Sequence, residues 1–292
     1  MSRHSRRLFL DTSLWNELLD RAVDPAELLR RLRARGIQLV INTQLIFELA
    51  KGFRATRPQS IEKAKALFKY LSAFTSDRSV PCLQMNSDQL REEARRAHGE
   101  IERPAIFLNA KNYERMSNEV AKLAAGDFDK RADEFIRTRR SSAQNFREEI
   151  VGFLSERPAL VAEMKQHDFS TAIRKSEQFR AAMLTWHMHH DMPTLNVAEL
   201  RILARRMAKA AKYRAANAIV RADLYVNWRA ARGGALARDV QDDCYHLVSA
   251  AYCDIFATKD TQQATYAREI LAQTRVAAYD GACHLVDWLE SL

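Results

Sequence analysis

The chain has 292 residues, of which 47% are apolar, so it can bury a substantial core as one large domain or two modest ones. Lys and Arg outnumber Asp and Glu by 46 to 37, and the resulting pI near 9.5 favours a polyanionic partner, most simply nucleic acid. No apolar stretch approaches the ~20 residues of a membrane span, and the apolar run behind the basic amino terminus is too short for a signal-peptide core. Composition therefore excludes a membrane protein, and we expect a cytoplasmic one.

The cysteine, glycine and proline contents indicate the redox compartment and the type of secondary structure. The chain has four cysteines, without a CxxC pair or a zinc-ligand spacing: Cys82, Cys244, Cys253 and Cys283. Such cysteines are typical of reduced thiols in a reducing compartment. Only 8 glycines and 6 prolines occur, which favours helices over a turn-rich β architecture.

Strands and helices alternate in the first 80 residues. The short apolar run Arg7–Leu10 predicts a buried strand, and the β-branched run Ile37–Ile41 predicts a second one. Thr12 or Ser13 is expected to cap the helix after the first strand, and Asn42 or Thr43 the helix after the second. Helices are expected over Leu14–Leu19, Pro25–Arg35, the segment around Glu48 and Ile61–Phe74.

The pattern changes between Asn86 and Ala235. Long stretches with a period of 3.6, rich in Ala, Arg, Glu and Lys, predict five to seven helices and no strand. Breaks are expected near Gly99–Pro104, Gly126, Pro158, Pro193 and Gly233–Gly234.

The alternation of helix and strand returns at the carboxyl end. Helices are predicted over Asp239–Tyr252, Thr261–Ala272 and Ala282–Leu289, with strands at Asp254–Thr258 and Arg275–Ala278. The two ends together predict an α/β fold with a small parallel sheet of about four strands flanked by helices. We expect a discontinuous α/β domain (residues 1–85 plus 236–292) and a large all-helical insertion (86–235).

Four acidic residues stand at predicted strand ends or helix starts: Asp11, Glu48, Asp243 and Asp260. Residues just past the carboxyl ends of parallel strands gather in one crevice. Carboxylates gathered there repel one another unless a divalent cation neutralises them. Each residue alone also has an ordinary alternative, as a helix cap, a first-turn charge or a solvated surface acid.

Three segments resemble the PIN-domain family of metal-dependent nucleases. They are Leu8–Ser13, Asn42–Leu49 and Asp243–Asp260, which together carry the four acids. The resemblance implies a PIN-like α/β fold and a metal-dependent endonuclease that hydrolyses phosphodiester bonds, most often in RNA. It implies that the catalytic and metal-binding residues, holding Mg²⁺ or Mn²⁺, are Asp11, Glu48, Asp243 and Asp260, with Thr258 supporting them. A toxin or defence-effector role is a further analogy.

The third metal ligand is open among Asp239, Asp242 and Asp243. Asp243 is preferred because it shares a helical face with His246 and Ala250. Asp242 and His246 are then supporting residues, the latter one helical turn from Asp243.

Basic residues on a predicted helix provide a candidate RNA-binding surface. Arg201, Arg205, Lys209 and Lys212 recur at spacings of three or four, which predicts a stripe on one helix face. A solvated helix face is the alternative. The cluster His187, His189, His190 and Asp191 suits either a transition metal or a polar helix end.

Two other functions compete with the nuclease. One is a non-catalytic nucleic-acid-binding module with the same fold. The other is a phosphatase of the haloacid-dehalogenase type, which needs a second Asp two residues after the first, where this chain has Ser13. A second copy of the chain and a protein inhibitor are left open as further partners.

Overall fold

The computed structural model describes residues 5–76, 78–129, 133–134, 148, 151–152, 154–175, 177–192, 195–233 and 240–292. Its centre is a five-stranded sheet in the order β3-β2-β1-β4-β5, in which every paired strand is parallel. The strands are β1 (Arg6–Leu10), β2 (Ile37–Asn42), β3 (Cys82–Leu83), β4 (Ile255–Thr258) and β5 (Arg275–Ala278). The parallel α/β sheet is confirmed. The additional strand, β3, has two residues and is too short to produce a periodic pattern.

Both faces of the sheet are buried, as expected for parallel strands covered by helices. Along β1, Leu8 and Leu10 belong to one hydrophobic cluster, whereas Phe9 between them belongs to the other. Leu8 pairs with Leu39 on β2 and with Ile255 on β4, so the apolar rows run across the sheet in register.

Helices flank the sheet and begin near the predicted residues. Before the middle of the chain they are α1 (Thr12–Asp20), α2 (Pro25–Ala34), α3 (Thr43–Ala50) and α4 (Pro58–Thr75). The middle contains α5 (Asn86–His98), α6 (Ala110–Ala124), α7 (Pro158–Gln166), α8 (Phe169–Lys175), α9 (Glu177–Asp191), α10 (Val197–Lys209) and α11 (Arg214–Ala231). The carboxyl end adds α12 (Val240–Ser249), α13 (Thr261–Ile270) and α14 (Leu285–Ser291), and short 3₁₀ turns lie at Lys51–Arg54 and Ala250–Tyr252.

The capping of α1 differs from the prediction. Its N-cap is Asp11, whose side chain accepts a hydrogen bond from the backbone N–H of Ser13, and neither Thr12 nor Ser13 has this role. The reason is that β1 ends directly at Leu10, so the helix begins at Thr12, two residues earlier than the apolar pattern suggests. Asn42 caps α3, as one of the two predicted choices.

The helical middle packs against the sheet. Leu200 and Ile219 share a buried cluster with Phe9, Val40 and Phe256 of the strands. On the opposite face, α6 packs with α4 in the cluster that contains Leu8 and Leu10. Helices from residues 86–235 therefore cover parts of both faces, and the division of the chain into two domains stays a prediction.

The described helices also bear on the membrane and thiol predictions. Within this part of the chain, none is both long and apolar enough to cross a membrane.

The four cysteines are free, and three of them are buried. Burial raises the pKa of Cys82 to about 12, which keeps this thiol protonated and unreactive near neutral pH.

Candidate functional site

Asp11 lies at the carboxyl end of the central strand β1 and is almost fully buried. Its Oδ2 accepts hydrogen bonds from the Ser13 backbone N–H at 3.3 Å, the Ser13 hydroxyl at 2.7 Å and the Thr258 hydroxyl at 2.9 Å. Three donors on one oxygen fix the orientation of the carboxylate. Its other oxygen, Oδ1, faces Thr12 and His246.

Glu48 approaches Asp11 from α3. The Thr12 hydroxyl lies 3.2 Å from Asp11 Oδ1 and 3.4 Å from Glu48 Oε2. A hydroxyl has one proton, so it can donate to only one of these carboxylates at a time. Both carboxylates are largely buried and lie on either side of this hydroxyl, so like-charge repulsion between them favours a positive charge nearby.

His246 fills the space beside both carboxylates. Its Nε2 lies 3.7 Å from Asp11 Oδ1, and its Nδ1 lies 3.4 Å from Glu48 Oε1. The ring is fully buried and packs against Phe9 with 5.3 Å between the ring centroids. Neither ring nitrogen has a hydrogen-bond partner among the described residues. Buried polar atoms usually have a hydrogen bond, so an imidazole that has none and lies beside two carboxylates is an unusual feature of this part of the protein.

Asp243 joins the site through a shared cleft. The cleft has a volume of about 410 Å³ and is lined by Thr12, Glu48, Asp243, Lys51 and Lys63, among others. The two lysines were not predicted, although Lys51 follows Glu48 by one helical spacing. They give the cleft both signs of charge, although the Nζ of Lys63 is paired with the carboxylate of Asp20 at 2.9 Å.

Asp260 is placed differently from the other three acids. It is exposed and caps α13, where its Oδ1 accepts from the backbone N–H of Gln262 at 2.7 Å and of Gln263 at 3.0 Å. Within the described chain its carboxylate bonds only to this first turn. Its backbone N–H donates to the Thr258 hydroxyl at 2.9 Å, and the same hydroxyl donates to Asp11. Thr258 thus connects Asp260 to the site without bringing the two carboxylates into contact.

A bound metal ion needs oxygen or nitrogen donors that converge on one point. Asp239 and the side chain of Asp242 lie outside the described residues. Among those that are described, no three His, Cys, Asp or Glu side chains surround one point as a metal requires. The oxygens of Asp11 and Glu48 nevertheless suit Mg²⁺ or Mn²⁺, because such ions are commonly held by one or two carboxylates and keep several waters. The residues fit a hydrated ion of this kind.

The predicted basic stripe is wrong at Lys212. Helix α10 ends at Lys209, because the chain turns there before α11 begins, and Lys212 lies in that turn with its Nζ 5.1 Å from the Tyr213 ring centroid. Arg201 and Arg205 are exposed on α10. Lys209 pairs with Glu177 at 2.9 Å. The exposed basic face of α10 is therefore shorter than predicted.

Part of the predicted histidine cluster has a structural partner. His187 on α9 places its Nε2 2.8 Å from Asp223 Oδ2, so this nitrogen is engaged by a carboxylate of α11. The side chains of His190 and Asp191 lie outside the described residues.

No family model, curated protein or solved structure matches this chain. Membership of the PIN-domain family stays a prediction that rests on the three sequence segments.

Proposed function

We propose that this protein is a metal-dependent nuclease that hydrolyses phosphodiester bonds, with RNA as the favoured substrate. One observation carries the proposal: Asp11 and Glu48 meet at the carboxyl edge of a parallel sheet, with the unpaired His246 ring beside both. This edge is where ligands bind in open α/β sheets. Two largely buried carboxylates of the same charge on either side of one hydroxyl are suited to hold a cation.

The residues of the cleft have separate roles in this proposal. Asp11 and Glu48 would hold Mg²⁺ or Mn²⁺ together with water, with Asp243 of the same cleft as the candidate third ligand, and the ion, when bound, would supply an acidified water and neutralise charge on the phosphate. Ser13 and Thr258 hold Asp11 Oδ2, which leaves Oδ1 facing Thr12 and His246.

Residues in and around the cleft act on the substrate or on the carboxylates. His246 positions both carboxylates from its buried place, and Lys51 and Lys63 contribute positive charge toward a phosphate in the cleft. Asp260 acts from the edge of the site through Thr258 or through an ion near its own carboxylate.

Charge and resemblance favour RNA. The excess of nine basic residues supports a polyanionic substrate, and most of the family that the chain resembles acts on RNA. A toxin or defence-effector role rests on analogy alone. The phosphatase alternative is weaker, because the position that needs a general acid holds Ser13, whose hydroxyl donates to Asp11.

The direct test is cleavage of labelled single-stranded RNA, transfer RNA and DNA by the purified protein in Mg²⁺, Mn²⁺ or EDTA. The proposal expects cleavage with either metal and none in EDTA, with RNA cut faster than DNA. Binding of RNA without cleavage in any of these conditions would instead favour the non-catalytic binding module.

Removing the Thr258 hydroxyl tests whether RNA cleavage depends on the orientation of the Asp11 carboxylate. We expect Thr258→Val to reduce the cleavage rate by about 10- to 100-fold, because Asp11 Oδ2 loses one of its donors and the Asp260 N–H loses its acceptor. The measurement is kcat and KM for RNA cleavage at saturating Mg²⁺ and across a Mg²⁺ series.

Thr274→Val is the matched control. Its hydroxyl is also buried and donates to the Cys253 carbonyl at 2.9 Å, but it lies outside the site. Equal rate losses in the two valine variants would show that Thr258 contributes only to the fold.

Charge reversal on α10 tests whether this helix contacts RNA. We expect Arg201→Glu with Arg205→Glu to weaken RNA binding and to lower the slope of log affinity against log salt by about two, one for each lost phosphate contact. The same double change at Arg30 and Arg33 is the control, because α2 packs on the opposite face of the sheet from α10. An unchanged salt slope in the α10 variant removes this helix from the RNA-binding surface.

A further inference from the structure

A second cavity, of about 270 Å³, lies beside the acidic cleft. Its polar wall is formed by residues of α3, α5, α9 and α12, among them Gln44, Asn86, Ser87, His187 and Tyr245. None of these residues has a role in the proposed hydrolysis.

The cavity is lined mainly by apolar surface with several polar groups, and no charged side chain belongs to its described lining. Amides, hydroxyls and one imidazole line it together with the apolar side chains of Met85, Leu90 and Ile219, and the described lining includes no Lys, Arg, Asp or Glu. A phosphate would require a cation in the wall, and a metal ion would require a carboxylate. The wall instead matches a neutral ligand that has apolar faces and hydrogen-bonding edges, which is the chemistry of a nucleobase.

A buried carboxylate fixes two of the polar groups in place. Asp223 is fully buried and accepts from the Tyr245 hydroxyl at 2.7 Å, while His187 Nε2 lies 2.8 Å from its other oxygen. With Nε2 engaged, Nδ1 is the nitrogen of His187 left for a ligand, since no described residue bonds to it.

The cavity and the acidic cleft share two helices. On α3, Gln44 of the cavity precedes Glu48 of the cleft by four residues, which corresponds to about 6 Å of helix rise. On α12, Tyr245 of the cavity directly precedes His246. This is a separation that a single nucleotide can span.

We propose that this cavity binds the base of a nucleotide flanking the phosphate to be cleaved. The proposal rests on the nuclease function for its substrate, and it predicts that cleavage has a base preference at one position beside the cut.

The test uses free ribonucleosides, which contain no phosphate, and EDTA, so that binding does not depend on metal or cleavage. Adenosine, guanosine, cytidine and uridine are titrated calorimetrically into the full chain. We expect at least one to bind, and Ser87→Phe, which fills the cavity, to weaken its binding at least tenfold. Arg91→Phe, one turn further along α5 and outside the lining, should bind as the wild type does. Met85→Trp at the exposed rim provides a second filled variant if Ser87→Phe does not fold.

The outcomes separate this proposal from the nuclease function. Absence of binding by all four nucleosides, or unchanged binding in a folded filled variant, would overturn the base site even if metal-dependent RNA cleavage occurs. Nucleoside binding that the filled variant loses would support the base site even if no cleavage occurs. With cleavage active, the filled variant should still cut RNA of random sequence but lose the base preference beside the cut.

Discussion

Asp11→Asn is expected to reduce metal-dependent RNA cleavage by at least about 100-fold while leaving the protein folded, a loss of roughly 2.7 kcal/mol in transition-state stabilisation. The substitution removes negative charge from the oxygen that faces Thr12 and His246. It retains an amide oxygen that can accept from Ser13 and Thr258, so the cap of α1 and the junction with β4 are kept. The measurements are cleavage rates across a Mg²⁺ series and a thermal unfolding curve.

Asp24→Asn is the matched control. Asp24 is also an N-cap, accepting from the Glu27 backbone N–H at 2.7 Å, but it is exposed at the start of α2 and belongs to neither cavity. It should keep wild-type cleavage with a small change in stability, since Asn caps helices about as well as Asp. If folded Asp11→Asn cuts RNA at the wild-type rate, Asp11 does not contribute charge to the reaction and the proposed site is wrong.

The same substitution at the other acids ranks their contributions. Asp243→Asn should cause a loss comparable to that of Asp11→Asn if Asp243 is the third ligand. Asp260→Asn should cause a smaller one, because its carboxylate is already bonded to the first turn of α13. Equal losses at Asp243 and Asp260 would place both in the metal site.

The second large effect is on the stability of the protein, and it comes from a buried glutamate that does not line the acidic cleft. Glu93 on α5 is fully buried and accepts from the backbone N–H of Ala215 at 2.9 Å and of Ala216 at 2.8 Å. It thereby caps α11, which has no side-chain cap of its own. Tyr252 also donates its hydroxyl to Glu93. Burial raises the pKa of Glu93 to about 7, against the lowering effect of these hydrogen bonds.

Glu93 should make the protein less stable as the pH rises from 4.5 to 7. In this window the folded state binds more protons than the unfolded state, because the pKa of Glu93 is about 7 when folded and 4.5 as the reference value. Its stabilising contribution is complete below pH 4.5 and is lost as the pH rises through 7. A shift of this size corresponds to roughly 3 kcal/mol in the free energy of unfolding.

The measurement is urea unfolding of wild type and Glu93→Gln at intervals from pH 4.5 to pH 7.5. Gln keeps an oxygen acceptor for the α11 amides but does not titrate, so the difference in unfolding free energy should shift steadily in favour of the variant with rising pH. Glu163→Gln changes an exposed glutamate of α7 and should run parallel to the wild type. Parallel wild-type and Glu93→Gln curves would contradict a raised pKa for Glu93.

The sequence predicted the framework of the fold well because the relevant signals are local. The apolar runs at Arg7–Leu10 and Ile37–Ile41, and their counterparts near the carboxyl end, correspond to β1, β2, β4 and β5. Sequence position relative to a strand end also predicted that Asp11 and Glu48 lie close together, as the Thr12 hydroxyl between them shows. By contrast, β3 was missed because two residues carry no period, and Lys212 was placed on a helix because the end of α10 has neither Gly nor Pro.

Sequence alone determined the class of fold, the acids at the strand ends and the basic charge, since each follows from residue type and spacing along the chain. Only the tertiary structure decided which side chains meet. It brought His246 against Asp11 and Glu48, left Asp260 bonded to its own helix, and joined His187 and Tyr245 through Asp223. The contacts of His246 and of Asp223 bridge 22 to 235 residues of chain, as with Tyr245 and Asp223 at one extreme and His246 and Asp11 at the other. They depend on how helices pack on the sheet, and local periodicity contains no information about that packing.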